Sequence, residues 1–224
     1  MLALSLDALA ARLTGEDPAV ALVEPERWAY ALREAVALAR PDMLVLGWDG
    51  GFETGALATV VGGAADPFDA IYDADSPLCE QPQGAALVTL VGTLRQLFGG
   101  RPRLALAVRG PAALADGLGA PADDELADLC ADQLVDLLLA CAAVGIDTVV
   151  LRGEDQRADG PVVRALDHAR VALVRPGMVE LLPAASWSTI GASELAAARA
   201  APHLVLSDGP VPGNLELERL APAR

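Results

Sequence analysis

The sequence predicts an α/β fold built around a parallel sheet, and three observations lead to this class. Short apolar runs of strand length alternate with segments of helical periodicity. Each run ends in a polar or glycine-containing turn, at residues 47–53, 109–111, 152–155, 175–177 and 207–209. The chain of 224 residues is long enough for one sizeable core, so we expect a single domain over residues 1–224. Strands buried on both faces in this way are typical of parallel sheets covered by helices.

The first half of the chain predicts the following elements. Residues 1–13 and 26–40 have helical periodicity, and the second helix is bounded by Pro25 and Pro41. Residues 43–47 form an apolar run that predicts a buried strand, and residues 55–63 predict a helix. Residues 64–84 contain three prolines and predict a long irregular loop. Residues 84–98 predict a helix that ends at two glycines, and residues 104–108 predict the second strand.

The second half repeats the pattern. A short helix over 112–118 precedes a long one over 123–143, which begins with acidic residues and is capped by Gly145. Residues 148–151 predict the third strand, residues 160–169 a helix, and residues 171–174 another strand. A further apolar run covers 178–182. Helix 193–200, strand 203–206 and a short helix at 214–220 complete the expected elements.

Composition excludes several classes of function. The 16 basic and 31 acidic residues give a net charge of −15, which argues against binding to nucleic acid or to an anionic membrane surface. All 16 basic residues are arginine, so chemistry that needs a lysine amine is excluded. No apolar run is long enough to span a membrane, and the first residues lack the pattern of a signal peptide. Three cysteines without metal-site or redox-motif spacing suit reduced thiols, so we expect a cytoplasmic protein.

Ligand groups in parallel α/β folds lie just beyond the carboxyl ends of the strands. That rule nominates, as candidate site residues, Asp49, Glu53, Arg109, Arg152, Glu154, Asp155, Arg175 and Asp208. A carboxylate at Asp49 or Glu53 suits a general base or an anchor for a ligand N–H, although Asp49 could equally bind the amides of its own turn.

The arginines suit a different task, because a guanidinium can clamp a carboxylate through two hydrogen bonds. Arg109 could instead pair with Glu154, which we favour over Asp155 as the acid that faces the site. Trp48 and Trp187 could wall the pocket or belong to the core. With only two histidines in the chain, a His-rich metal site is not expected. We expect acid–base chemistry without metal and without a cofactor.

Four passages resemble the uroporphyrinogen decarboxylase superfamily, which includes corrinoid-dependent methyltransferases and cobalamin-independent methionine synthase. They are Asp-Met-Leu-Val-Leu-Gly-Trp-Asp at 42–49, the strand 103–108 with Arg-Gly-Pro at 109–111, the helix, turn and strand of 126–155, and Leu-Val-Leu-Ser-Asp at 204–208. The resemblance implies a TIM-type (β/α) barrel, shortened or incomplete because family members are longer. An open barrel edge implies a homodimer or a partner subunit that covers it.

The resemblance also implies a function, which is decarboxylation of a small carboxylated molecule by acid–base chemistry. Asp49, Glu154 and Arg109 would be catalytic, and Glu53, Arg152, Arg175, Trp48, Trp187 and Asp208 would bind substrate. The family's Arg-rich N-terminal motif is absent, as is the His-x-Cys-Gly zinc motif, whose counterpart here is 179–186. The alternatives are a relative of the methyltransferases and a non-catalytic ligand-binding or assembly subunit.

Overall fold

The computed structural model describes residues 1–49, 51–118, 124–153, 155–175, 179–183, 198 and 204–210. Within these residues the chain forms seven strands and eight α-helices. The strands are β1 (Leu2–Ser5), β2 (Met43–Leu46), β3 (Arg103–Arg109), β4 (Thr148–Arg152), β5 (Ala172–Val174), β6 (Glu180–Pro183) and β7 (Val205–Pro210). The helices are α1 (Asp7–Thr14), α2 (Pro25–Ala39), α3 (Gly51–Val61), α4 (Pro67–Tyr72), α5 (Pro82–Phe98), α6 (Pro111–Gly117), α7 (Asp124–Val144) and α8 (Asp159–Ala169).

All strand pairs are parallel, in the order β5-β4-β3-β2-β1-β7-β6, which confirms the predicted α/β class. The sheet curls into a half-barrel. Chain length requires such a curl, because only residues 175–179 join β5 to β6 at the opposite edge. A flat sheet would separate these edge strands by about 29 Å. The six Cα–Cα steps from the end of β5 to the start of β6 reach about 22 Å at most.

Side chains on the two faces of the sheet differ in size, which fits this curvature. Alternate strand residues such as Leu44, Leu106 and Leu151 pack outward against the helices in the large core cluster. The inner face carries a small cluster of seven residues, which are Ala3, Met43, Val45, Ala105, Ala107, Val150 and Leu206. Because a curled sheet crowds its concave face, the small side chains of Ala105 and Ala107 on the interior strand β3 suit that face.

Three sequence expectations fail locally. Residues 2–5 form strand β1, which lies inside the sheet between β2 and β7, so the predicted helix over 1–13 is wrong for its first turn. Over so few residues, the alternation of Leu and Ala fits both the strand period of 2 and the helical period of 3.6. Residues 64–84 are not one irregular loop, because they contain α4, a short 3₁₀ helix at Leu78–Glu80 and the start of α5. The last strand extends through residues 207–209, which were expected to form a turn.

The other elements match the expected positions within a few residues, apart from helix 214–220 and most of helix 193–200, which lie outside the described residues. No described helix combines the length and the apolar character that a membrane crossing needs.

Candidate functional site

Glu53 is the most deeply buried of the charged side chains that the sequence nominated. Helix α3 begins at Gly51, earlier than predicted, so Glu53 lies in its first turn and is 0% exposed. Its Oε1 accepts a hydrogen bond from the backbone N–H of Arg109, 3.1 Å away, at the carboxyl end of β3. No residue in the described part of the chain bonds its Oε2. The carboxyl group is therefore held at one oxygen and unsatisfied at the other.

Burial raises the pKa of the Glu53 carboxyl group. The hydrogen bonds from the backbone N–H groups of Glu53 and Arg109, and the charges of Arg152 and Arg109, act in the opposite direction without cancelling this effect. The site thus favours a protonated Glu53 more than water does, and a protonated carboxyl group is a proton donor.

Arg152 ends strand β4 and pairs in register with Arg109 of β3. Its Nε and Nη2 are buried, and the described residues provide no acceptor for either atom. The guanidinium carbon lies 5.4 Å from the centre of the Trp48 ring, a cation–π contact. Burial lowers the pKa of Arg152, and the nearby charges of Glu53 and Asp49 partly offset that effect. Nε and Nη2 form one edge of the guanidinium, which matches a carboxylate in two parallel hydrogen bonds.

Asp159 forms a second buried charged group beside the same strand ends. It is the first residue of α8 and is 4% exposed. Its Oδ2 lies 2.6 Å from Nη1 of Arg175, so the structure places Arg175 in an internal ion pair. Its Oδ1 has no hydrogen-bond partner among the described residues and would lie 3.5 Å from a Cβ atom added at Gly110. Gly110 in turn donates its N–H to the carbonyl of Arg152 over 2.6 Å, which brings Asp159 next to β3 and β4.

These unsatisfied atoms are concentrated at one end of the sheet. In the part of the chain that the structure describes, five buried side-chain nitrogen or oxygen atoms lack a partner, and four belong to Glu53, Arg152 and Asp159. The fifth belongs to Gln133 on α7. Buried polar atoms in native proteins are paired in about 90% of cases or more. A group of exceptions at the carboxyl ends of parallel strands marks the best candidate ligand site.

A cleft of about 330 Å³ lies at the ends of β1 and β2, and Glu53, Arg152 and Asp159 are not among its described lining residues. Its lining includes Asp7, Asp17 and Asp49, together with the Trp28 and Phe52 rings. Asp7 accepts hydrogen bonds from the Ser5 hydroxyl at 3.1 Å and from Nε1 of Trp28 at 3.2 Å. Burial raises the pKa of Asp7, and the charge of Asp49 adds to the rise, whereas the two hydrogen bonds lower it.

The remaining nominated residues fall into two groups. Asp49 is exposed and its Oδ1 accepts from the N–H of Gly51 at 3.2 Å, as an aspartate bound to its own turn does. Asp155 binds Arg157 at the surface, 2.7 Å from its Nε. Glu154, Trp187 and the Asp208 side chain lie outside the described residues, although the backbone of Asp208 belongs to β7.

Sequence reasoning missed Asp7 and Asp159. Asp7 was hidden because residues 1–13 were interpreted as one helix, yet Leu-Ala-Leu-Ser followed by Leu-Asp repeats the apolar-run-then-polar pattern of the other strands. Asp159 precedes the predicted helix 160–169, where an aspartate suggests only a helix start. Its pairing with Arg175 brings together residues from two elements, and sequence spacing does not encode that contact.

Cysteine, histidine and acidic residues form no metal centre in the described ranges, since no three of these side chains come together as ligands. Cys79, Cys130 and Cys141 are free thiols. Burial raises the pKa of Cys130 to about 12. Burial and the nearby Cys79 together raise the pKa of Cys141 to about 12. These two buried thiols are therefore poor nucleophiles.

Fold and site together define an α/β protein with a curled parallel sheet and a buried, charged group at the carboxyl ends of β3 and β4. No protein-family model matches the chain, and no curated protein matches it either.

Proposed function

We propose that this chain is a metal-free enzyme of the uroporphyrinogen decarboxylase type, a shortened (β/α) barrel that acts on a small carboxylated molecule. The observation that carries the proposal is the group of unsatisfied buried atoms on Glu53, Arg152 and Asp159. The family resemblance of the sequence supplies the reaction class. The curled parallel sheet is compatible with a barrel that lacks one side.

Arg152 is the proposed carboxylate anchor. Its Nε and Nη2 are unsatisfied within the described residues, and they present the two parallel N–H groups that a carboxylate accepts. The Trp48 ring, 5.4 Å from the guanidinium carbon, adds a cation–π attraction that helps to hold Arg152 in place. Arg109 adds a second positive charge at the next strand end. Arg175 forms an ion pair with Asp159. In this scheme Arg175 holds Asp159 in position and does not bind the substrate itself.

Glu53 is the proposed proton donor. When a carboxylate leaves as CO2, the C–C bond breaks and its electron pair stays on the substrate carbon. That carbon then takes the proton of Glu53, and Glu53 regains a proton from solvent. The carboxylate held by Arg152 is not the one that leaves, because pairing with an arginine stabilises the charged carboxylate relative to neutral CO2. The substrate therefore carries at least two carboxylates and a group that delocalises the electron pair.

A calorimetric titration tests the anchor. The wild type and Arg152→Gln are titrated with mono-, di- and tricarboxylates, porphyrinogens and a corrinoid. Arg152→Lys keeps the charge without the planar fork, and Arg157→Gln removes a charge from an exposed ion pair. We expect a carboxylate to bind the wild type and Arg157→Gln but to bind both Arg152 variants at least about tenfold more weakly. Equal affinity in all four proteins would overturn the site.

Turnover separates the enzyme from a binding subunit. Glu53→Gln keeps an oxygen that can accept from Arg109 N–H but has no acidic proton. It should therefore bind the same carboxylate and release CO2 far more slowly than the wild type, because the substrate carbanion is not protonated and can recapture CO2. Binding without turnover in the wild type would favour the non-catalytic subunit. A response to the corrinoid alone would favour a methyltransferase relative.

The proposal includes a second copy of the chain, or a partner subunit, at the open side of the barrel. The outer edges of β5 and β6 pair with no described strand, and an exposed strand edge offers unsatisfied N–H and C=O groups to another chain. Sedimentation equilibrium is the test, with a dimer as the expected mass. A monomer at all concentrations would contradict the homodimer.

A further inference from the structure

The amino end of the sheet carries a second charged region, far from the strand ends discussed above. A cleft of about 830 Å³ opens there between the C-terminal ends of α2 and α5. Its described lining is Met1, Val36, Arg40, Pro41, Asp42, Gly100, Arg101, Pro102 and Arg103. Three arginines therefore face one opening, in a chain whose acids outnumber its bases by 31 to 16.

The three arginine side chains are exposed, and none forms an ion pair or a hydrogen bond with a described residue. Of the other exposed arginines, Arg27, Arg33 and Arg157 each contact a carboxylate, whereas Arg164 and Arg170 contact none among the described residues. The cleft has one acid of its own, Asp42, whose Oδ2 is 2.8 Å from the N–H of Leu2 and accepts its hydrogen bond. Among the described lining residues, three cations thus face a single carboxylate that is already engaged.

A free backbone donor lies in the same opening. The N–H of Gly100 donates to no described residue, although the neighbouring Gly99 and Arg101 donate to the last turn of α5. Arg40 reaches the opening from the end of α2, and Arg101 and Arg103 reach it from the start of β3. The described lining also includes Val36, Pro41 and Pro102, which offer no competing acceptor side chain.

We propose that this cleft binds a small polyphosphate, meaning a molecule with two or more linked phosphate groups. Several guanidinium groups and a backbone N–H can be used at once only by a ligand that has many acceptor oxygens and more than two charges. A phosphate group offers three acceptor oxygens and up to two charges, and it suits the arginine fork. A carboxylate has two oxygens and one charge, so it would leave most of these donors unused. The site is separate from the proposed carboxylate anchor at Arg152.

The alternative is that the arginines only balance the negative C-terminal ends of α2 and α5. In that case, removing one would lower stability without affecting any ligand. Measuring both properties on the same variants separates the two roles.

The test is a calorimetric titration with inorganic tripolyphosphate at low ionic strength, repeated with citrate. Arg101→Gln, Arg103→Gln and the double variant remove cations from the cleft. Arg33→Gln is the matched control, because it removes the same charge from an exposed arginine of α2 that pairs with Glu34. Arg152→Gln controls for binding at the other end of the sheet. Urea unfolding of every variant reports its stability.

We expect saturable binding of tripolyphosphate that weakens as salt is added, with each cleft substitution reducing the affinity at least about tenfold. Arg33→Gln and Arg152→Gln should bind as the wild type does. Absence of saturable binding would overturn the proposal, as would an equal loss in Arg33→Gln, which would indicate non-specific attraction. Citrate that binds as tightly as tripolyphosphate would overturn the phosphate class. Lower stability with unchanged affinity would assign the arginines to the helix ends.

Discussion

Aspartate and arginine occur at both ends of the sheet, but their hydrogen bonds differ. At the amino end, Asp42 and Asp147 each precede a strand, and each side chain accepts the N–H at the start of the neighbouring strand, Leu2 at 2.8 Å and Leu104 at 2.9 Å. At the carboxyl end, Glu53 and Asp159 each leave one buried oxygen without a described partner. Acids at the amino end therefore join strands, whereas those at the carboxyl end keep bonding capacity that a ligand could use.

The largest expected effect comes from breaking one of these strand-joining contacts. Asp147→Ala removes the acceptor of the Leu104 N–H and of Arg95, 3.3 Å away. An unsatisfied buried donor costs about 1–3 kcal/mol, and the half-exposed ion pair adds little. We expect the free energy of unfolding to fall by about 2 kcal/mol in urea denaturation. Affinity for a carboxylated ligand should not change, because the site is at the other end.

Asp147→Asn is the control for this prediction, because its amide oxygen can still accept from Leu104. It should lose less than half as much stability as Asp147→Ala. Equal losses in the two variants would mean that the charge of Asp147, and not its hydrogen bond to the strand, supports the sheet.

Substitution of Glu53 tests the opposite end and should depend on pH. Because the pKa of Glu53 is raised in the folded chain, the unfolded chain releases this proton at lower pH. Wild-type stability therefore falls as the pH rises from about 4, the ordinary range of glutamate, through the raised pKa. Glu53→Gln has no proton to lose, so its stability relative to the wild type should increase over this range and then level off.

Urea denaturation of both proteins between pH 4 and pH 8 measures this difference. Asp155→Asn is a suitable contrast, because the hydrogen bonds from Arg157 lower the pKa of that exposed carboxyl group. Its stability relative to the wild type should fall slightly up to about pH 5 and stay constant above it, because both the folded and the unfolded chain have then lost the Asp155 proton. A difference between Glu53→Gln and the wild type that does not vary with pH would show that burial does not disfavour the charged form of Glu53.

The sequence predicted the two ends of the sheet unequally. Buried strands such as residues 104–108 were predictable, because a run of four or five apolar residues between polar turns is typical of a buried strand. Their carboxyl ends then nominated Glu53 and Arg152 without further information. Strand β1 was missed because four residues cannot distinguish a period of 2 from one of 3.6. The Asp159–Arg175 pair was missed because it depends on packing of α8 against the sheet.

Arg40 allows a smaller test at the amino end. It caps α2 with a φ of 45°, a left-handed conformation that favours glycine. Arg40→Gly should therefore raise the free energy of unfolding by about 1 kcal/mol while weakening binding of tripolyphosphate. Arg170 caps α8 with a φ of 59° and does not line the cleft, so Arg170→Gly should gain similar stability and keep the affinity. If both variants lose affinity for tripolyphosphate, the loss does not depend on the position of Arg40 in the cleft.

The smallest expected effect concerns the contact between Trp48 and Arg152. A double-mutant cycle with Trp48→Leu and Arg152→Gln isolates the interaction from the separate effects of the two substitutions. The exposed pair of Tyr30 and Arg33, with 5.1 Å between the guanidinium carbon and the ring centre, provides a matched cycle with Tyr30→Leu and Arg33→Gln. Cation–π contacts stabilise exposed pairs by about 0.5 kcal/mol and desolvated pairs by up to about 2 kcal/mol. The Trp48 cycle should therefore give the larger coupling energy, and a carboxylated ligand should reduce it by taking over part of the Arg152 charge. If the two cycles give equal values, burial does not strengthen the contact, and Trp48 is a packing residue of the inner face with no part in holding the anchor.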